Sequence, residues 1–250
     1  VAEENTPIED FYFLHIPKTG GSHFKSRVLN EVYEQFKLNN FPFIRQKTGH
    51  DAWSQSISEN TYVATILRDP AKRTVSHFCH LAAVFPINPK KNIPTIEELK
   101  YEFKNWLELN SKSSTNFQAK NIMFEEVLKA TGEFAENLEE PDNWWNSKLF
   151  KNFEVDEKKL KDRIGRINLL IDNETLKDKF NNEIISKKIY TDTGIKQQEV
   201  NRKYILMGSM INNLSKELFS TLSKKEIEDL YLINKIDSEI YFSDYFTDLG

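Results

Sequence analysis

The residues best suited to chemistry begin at Lys18, in the run Phe11-Tyr-Phe-Leu-His-Ile-Pro-Lys-Thr-Gly-Gly-Ser22. An apolar, strand-like stretch stops at Pro17, a lysine and a Thr-Gly-Gly-Ser turn follow, and His23 to Phe36 reads as a helix. A strand that passes through a glycine turn into a helix start is suited to phosphate. Backbone N–H groups point at the anion and the helix dipole favours its charge. The chain has only eight glycines, and Gly20 and Gly21 lie side by side here, where a backbone can approach a ligand closely in unusual conformations. Lys18 precedes the glycines, the reverse of the nucleoside-triphosphate loop G-x-x-x-x-G-K-S/T, and that pattern is absent from the chain. The expected ligand is a phosphate held outside an ordinary ATP or GTP site. The plain alternative is a strand-turn-helix junction with an exposed lysine.

A second segment adds an arginine and a serine. Thr61-Tyr-Val-Ala-Thr-Ile-Leu67 is β-branched, apolar and of strand length, and it runs directly into Arg68-Asp-Pro-Ala-Lys-Arg-Thr-Val-Ser76-His-Phe78. Pro70 suits the first turn of a helix and Asp69 suits the cap before it. Arg68 then stands at a strand end and Ser76 about two turns into the helix, where open α/β sheets bind ligands. Arginine offers a fork of donors matched to phosphate oxygens and serine adds a hydroxyl. The alternative is an Arg-Asp surface pair and an exposed helix serine.

Together, His15-Ile-Pro-Lys-Thr-Gly-Gly-Ser22 and Leu67-Arg-Asp-Pro-x-x-Arg-x-x-Ser-His-Phe78 resemble the carbohydrate sulfotransferases, with the heparan sulfate 2-O- and 6-O-sulfotransferase branch as the nearest likeness. The first motif resembles that family's loop for the 5′-phosphosulfate of 3′-phosphoadenosine 5′-phosphosulfate (PAPS), and the second resembles its 3′-phosphate site. Gly49-His-Asp-Ala-Trp53 is similar to the family segment that carries the catalytic base. Thr115-Asn-Phe-Gln-Ala-Lys120 is similar to a segment near the site, with Ala119 and Lys120 departing from the family pattern. Gln197-Gln-Glu-Val-Asn-Arg-Lys203 resembles a late loop over the nucleotide, and Leu230 to Tyr241 resembles the C-terminal helix. Residues 125–162 have no counterpart.

The resemblance implies a PAPS-dependent sulfotransferase that acts on a hydroxyl, on a carbohydrate, and releases the desulfated product PAP. Pro17, Lys18, Thr19, Gly20, Gly21, Ser22 and His23 would hold the 5′ end of the donor, with Lys18 also stabilising charge on the departing phosphate oxygen. Arg68 and Ser76 would hold the 3′-phosphate, and Asn201, Arg202 and Lys203 would cover the nucleotide. His50 would be the general base; Asp51, Trp53, Asn116 and Gln118 would meet the acceptor. No metal is expected, because protein groups neutralise the donor. A P-loop kinase of a small metabolite and a non-catalytic nucleotide-binding module stand as alternatives. The missing G-K-S/T order and the lack of a clear magnesium aspartate weigh against the first, and His50 weighs against the second.

The elements that must position these groups alternate strand and helix. Strands are expected at Asp10–Ile16, Thr61–Leu67 and Ile167–Ile171, with a short edge strand at Lys188–Tyr190. Helices are expected from Ser22 to Phe36 and from Ala71 to about Val84. Another follows a Thr95/Glu98 capping box, with Ile96, Leu99, Phe103, Trp106 and Leu107 on one apolar face, and a last long helix opens at Ser223/Glu226. The pattern implies a three-layer, P-loop-like α/β fold with a central parallel sheet, in one domain over residues 1–250. His77, Cys79 and His80 cluster but lack a fourth ligand and diverge on a helix, so no metal site is expected there. His15 reads as structural, Tyr12 and Phe13 as core, and Trp144-Trp145 as a sugar platform or as packing under a loop.

With 39% hydrophobic and 29% charged residues the chain is globular, and it has no apolar run of membrane-spanning length and no signal-peptide pattern. The one cysteine excludes an intrachain disulfide. Animal Golgi members of the family carry disulfides and an anchor, so a cytoplasmic enzyme is expected here, with an upstream anchor removed from the chain as the alternative, and the abundance of Asn, Lys and Ile points to a microbial or viral source. A net charge of −4, with lysines and acids interspersed, disfavours nucleic acid and heavily sulfated polymers as partners. The acceptor and the oligomeric state are not written in the sequence.

Overall fold

In the computed structural model the described residues are 10–20, 61–84, 94–123, 148–173 and 202–243. The described elements, in chain order, are β1 (Asp10–Leu14), β2 (Thr61–Leu67), α1 (Pro70–Val84), α2 (Ile96–Ser114), α3 (Phe117–Ile122), α4 (Lys148–Asn152), α5 (Glu157–Ile164), β3 (Leu169–Asp172), α6 (Arg202–Ser220), α7 (Lys224–Ile233) and α8 (Lys235–Phe242). They fall into two compact units. One contains the three strands and α5; the other contains α1, α2, α3 as far as Ala119, α4 and α6 to α8.

The sheet is parallel in the order β1-β2-β3, with Asp10 opposite Thr61 and Ala64 opposite Leu169. Parallel strands read as continuous apolar runs because both faces are covered. Tyr12, Phe13, Leu14, Val63, Ala64, Ile66, Leu67, Leu169, Leu170 and Ile171 are all buried accordingly. Thr65, the polar member of β2, donates its hydroxyl to the Leu14 carbonyl at 2.8 Å, so its burial leaves no unpaired donor.

The α/β reading with a parallel sheet is realised, and β2 has the expected bounds. β1 ends two residues earlier than expected, at Leu14. The chain leaves the ladder there because Pro17 has no N–H to give it, and the Ile16 carbonyl instead accepts the Thr19 hydroxyl at 2.9 Å. β3 starts two residues late, because Ile167 N–H closes the end of α5 on the Ile164 carbonyl at 2.9 Å. Asn168 then joins the sheet edge-on: its N–H bonds the Val63 carbonyl at 2.9 Å and its side-chain oxygen accepts from Val63 N–H at 2.8 Å.

In the second unit Asp69 caps α1, its Oδ1 accepting from Lys72 N–H at 2.9 Å, and Pro70 occupies the first helical position. The helix therefore starts one residue before the expected Ala71. Ala71, Val75, Phe78 and Cys79 of α1 pack with Leu99 and Phe103 of α2, Ile211 and Leu218 of α6, Leu222, and Leu230 of α7. Each Val, Leu, Ile or Phe of this set, fully buried, contributes about 1.5–3 kcal/mol. The Thr95/Glu98 capping box and the apolar face of α2 are present as expected. Ser223 and Glu226 also form a capping box, but the helix they open is broken at Asn234 into α7 and α8. The expected helices and strands at residues 22–36 and 188–190, and Trp144-Trp145, lie outside the described residues.

Candidate anion-binding site

The loop after β1 is one candidate anion-binding element, in the first unit. His15, Ile16 and Pro17 continue the buried path of the strand, and residues 17–20 form a turn. The turn needs left-handed backbone twice: φ is 68° at Lys18 and 103° at Gly20. Glycine takes such a conformation at no steric cost, whereas a lysine there is strained by about 1–2 kcal/mol. Thr19, fully buried between them, donates its hydroxyl to Ile16, and its carbonyl accepts from the Asn173 side chain just after β3 at 2.5 Å. Asn173 N–H in turn bonds the Leu67 carbonyl at the end of β2 at 2.8 Å. The turn is thus tied to the C-terminal ends of both other strands. The Thr19 hydroxyl proton is engaged by the Ile16 carbonyl, so an anion would be met by backbone N–H groups and by Lys18, a half-buried residue. Asn173 was not anticipated; an Asn directly after a strand was its only signal.

A second candidate element belongs to the other unit. Arg68 follows β2 directly, belongs to neither strand nor helix, and is half-buried. Ser76 is 4% exposed, which removes the exposed-serine alternative. Gln118 takes both backbone polar groups of Arg68: Arg68 N–H donates to Oε1 at 2.9 Å and Gln118 Nε2 donates to the Arg68 carbonyl at 2.8 Å. Asn116, at φ 48° between α2 and α3, accepts from Ile236 N–H at 2.9 Å and donates its own N–H to the Asn234 side chain at 3.1 Å. Sequence reasoning put Asn116 and Gln118 against the acceptor; here their side-chain oxygens accept bonds within the second unit.

Beneath this turn lies Arg73, the largest fully buried side chain among the described residues. Its guanidinium sits 4.0 Å from the Phe117 ring centroid, and Nη2 is 3.5 Å from the Ser114 carbonyl, while Nε and Nη1 have no hydrogen-bond partner among the described residues. Burial chiefly, opposed by the attraction of Asp237 and aided by the charge of Arg68, lowers its pKa to about 10, so it remains charged at neutral pH. Asp237 also accepts from Gln118 N–H at 2.9 Å and Ala119 N–H at 2.8 Å. Arg73 stood inside the Arg68–Ser76 motif without a role, and Asp237 inside the C-terminal resemblance; no local pattern pairs residues so distant in sequence.

The remaining expected residues are placed as follows. Arg202 and Lys203 open α6. His77 is buried with its ring 5.7 Å from Trp106 and 5.4 Å from Phe117, an aromatic environment. No group of three or more His, Cys, Asp or Glu among the described residues is arranged to hold a metal. No described helix is long and apolar enough to cross a membrane. Gly21, Ser22, His23, His50, Asp51, Trp53 and Asn201 lie outside the described residues.

A family model described as the sulfotransferase family matches residues 6–243. The match spans nearly the whole chain, and the protein belongs to that family. No match was found among curated proteins or among solved structures. Family membership carries sulfuryl transfer to a hydroxyl-bearing acceptor as the class of chemistry.

Proposed function

We propose that the protein is a PAPS-dependent sulfotransferase with a three-layer, P-loop-like fold in one domain, acting on a carbohydrate hydroxyl and nearest in kind to the heparan sulfate 2-O- and 6-O-sulfotransferases. The observation that carries the reading is the loop after β1, where a lysine and a glycine both adopt left-handed backbone at the C-terminal edge of a parallel sheet, in a chain that matches the family over residues 6–243. Bound PAPS supplies an activated sulfuryl group. Residues 17–23 hold its 5′ end, Arg68 and Ser76 its 3′-phosphate, and Asn201, Arg202 and Lys203 cover the nucleotide.

In this reading the acceptor oxygen attacks sulfur in line with the bond to the 5′-phosphate oxygen. His50 takes the hydroxyl proton as the new S–O bond forms, and the old S–O electron pair stays on the phosphate of PAP. Lys18 meets the charge that gathers on that oxygen. Asp51 and Trp53 meet the acceptor beside His50. Positioning and charge stabilisation dominate, as in phosphoryl transfer.

The test is calorimetry with PAP, AMP and ATP, without magnesium, alongside transfer of labelled sulfate from PAPS to a saccharide panel. PAP should bind roughly tenfold or more tightly than AMP, because charge-assisted bonds to a 3′-phosphate are each worth about 1.5–3 kcal/mol. Equal affinity for PAP and AMP would sink the assignment, and a magnesium-dependent preference for ATP would turn it toward a kinase.

A further inference from the structure

Arg68 occupies an irregular step in the backbone path: it lies past the last ladder residue of β2 and before the cap of α1. It stands outside both the β2 ladder and the first helix. Both groups are instead bound by a single side chain, the Gln118 amide, which is 1% exposed and copies the paired donor and acceptor of a neighbouring strand. The Gln118 amide offers both functions at this spacing; a carboxylate has no donor for the Arg68 carbonyl, and an apolar side chain offers neither.

Gln118 is itself held at its backbone. Its N–H and that of Ala119 each bond one carboxylate oxygen of Asp237. Asp237 is set at the start of α8 by Asn116, whose side-chain oxygen accepts from Ile236 N–H at 2.9 Å and from Asp237 N–H at 3.4 Å. Asn234, fully buried at the α7–α8 break, receives Asn116 N–H and donates to the Leu230 carbonyl at 2.9 Å. A continuous series of hydrogen bonds therefore runs from α8 through α3 to the backbone of Arg68, within the second unit.

Resting on the donor reading above, we propose that Gln118 is a positioning residue for Arg68: by holding both backbone polar groups of Arg68 it fixes the point from which the guanidinium recognises a 3′-phosphate. A guanidinium projecting from a fixed backbone loses less freedom on binding, so the amide acts on 3′-phosphate affinity without touching the nucleotide.

The experiment compares the wild type with Gln118→Ala and Gln118→Glu, using PAP and AMP as calorimetric probes. The decisive quantity is the ratio of AMP to PAP dissociation constants, which general loss of stability does not move. Gln118→Ala should bring a ratio of roughly ten or more close to one, through loss of PAP affinity with AMP affinity kept. Gln118→Glu keeps the acceptor for Arg68 N–H, loses the donor to its carbonyl, and should fall between. An unchanged ratio in a folded Gln118→Ala protein overturns the positioning role and leaves the donor reading intact, as does an equal loss of PAP and AMP affinity. If Gln118→Ala does not fold, the near-isosteric Gln118→Glu decides by the same ratio. A wild type without preference for PAP removes the donor reading itself, and this inference with it.

Discussion

At the scale of single residues, Lys18 is the position where local energetics and function pull apart. A lysine with φ near 68° carries strain that a glycine would not, and the next residue but one is already a glycine in the same region of backbone space. Strain of this kind persists where the side chain has a task. In the proposed mechanism that task is to offset charge on the departing phosphate oxygen, an interaction made mainly in the transition state. Lys18→Gly should therefore leave the melting temperature no lower than wild type, since relief of strain opposes the extra freedom of glycine in the unfolded chain. Turnover should fall by about a hundredfold or more, with PAP affinity reduced far less. Paired thermal melts and steady-state kinetics make the check. Near-normal turnover with only a raised donor Michaelis constant would make Lys18 a docking group. Arg73 carries the complementary lesson: a fully buried charge lies over an aromatic face and is attracted by the Asp237 carboxylate, and neither its depth nor that attraction is visible from its neighbours in sequence.

At the scale of elements, the starts of helices are where sequence and structure agree best. Asp69-Pro70, Thr95/Glu98 and Ser223/Glu226 each close a hydrogen bond over three residues, so the pattern is local and readable. The Ser223/Glu226 box does more than start α7. The Glu226 carboxylate lies 2.8 Å from Lys104 and 3.5 Å from Lys100 of α2. Its pKa is lowered from 4.5 to about 2, first by the Lys104 bond and then by the backbone and hydroxyl of Ser223. A lowered carboxylate pKa gives stability that is complete above the ordinary value and is lost as pH falls through the folded one. Glu226→Gln should thus melt below wild type at neutral pH, and the gap should close as pH drops from 4.5 toward about 2. A gap that stays constant across that window would mean that the box, and not the charge, is what matters. Element ends were less legible where distant partners set them. The α7–α8 break at Asn234 depends on Asn116, and the end of β1 depends on a turn tied to Asn173. The candidate site divides the same way. Lys18, Gly20, Arg68 and Ser76 announce themselves by type and spacing, whereas the bond from Gln118 to Arg68 spans 50 residues and has no local signature.

At the scale of the whole molecule, charge decides what can approach. The chain carries 34 basic and 38 acidic residues, a net charge of −4, yet the proposed donor is itself a polyanion. Long-range steering is therefore unfavourable, and donor affinity must come from short-range groups such as Lys18 and Arg68. Such contacts weaken with salt, while contacts to an uncharged sugar do not. Raising NaCl from about 0.05 to about 0.5 M should weaken PAP binding several-fold and leave the Michaelis constant of a neutral saccharide acceptor nearly unchanged. For the same reason a heavily sulfated polymer should be a poorer acceptor than a neutral or lightly charged saccharide, by catalytic efficiency measured at low salt. If a highly sulfated polymer were instead the best acceptor and its use fell steeply with salt, the protein would need a basic track that its overall charge gives no sign of. The likeness to the heparan sulfate branch would then extend to the acceptor as well as the donor.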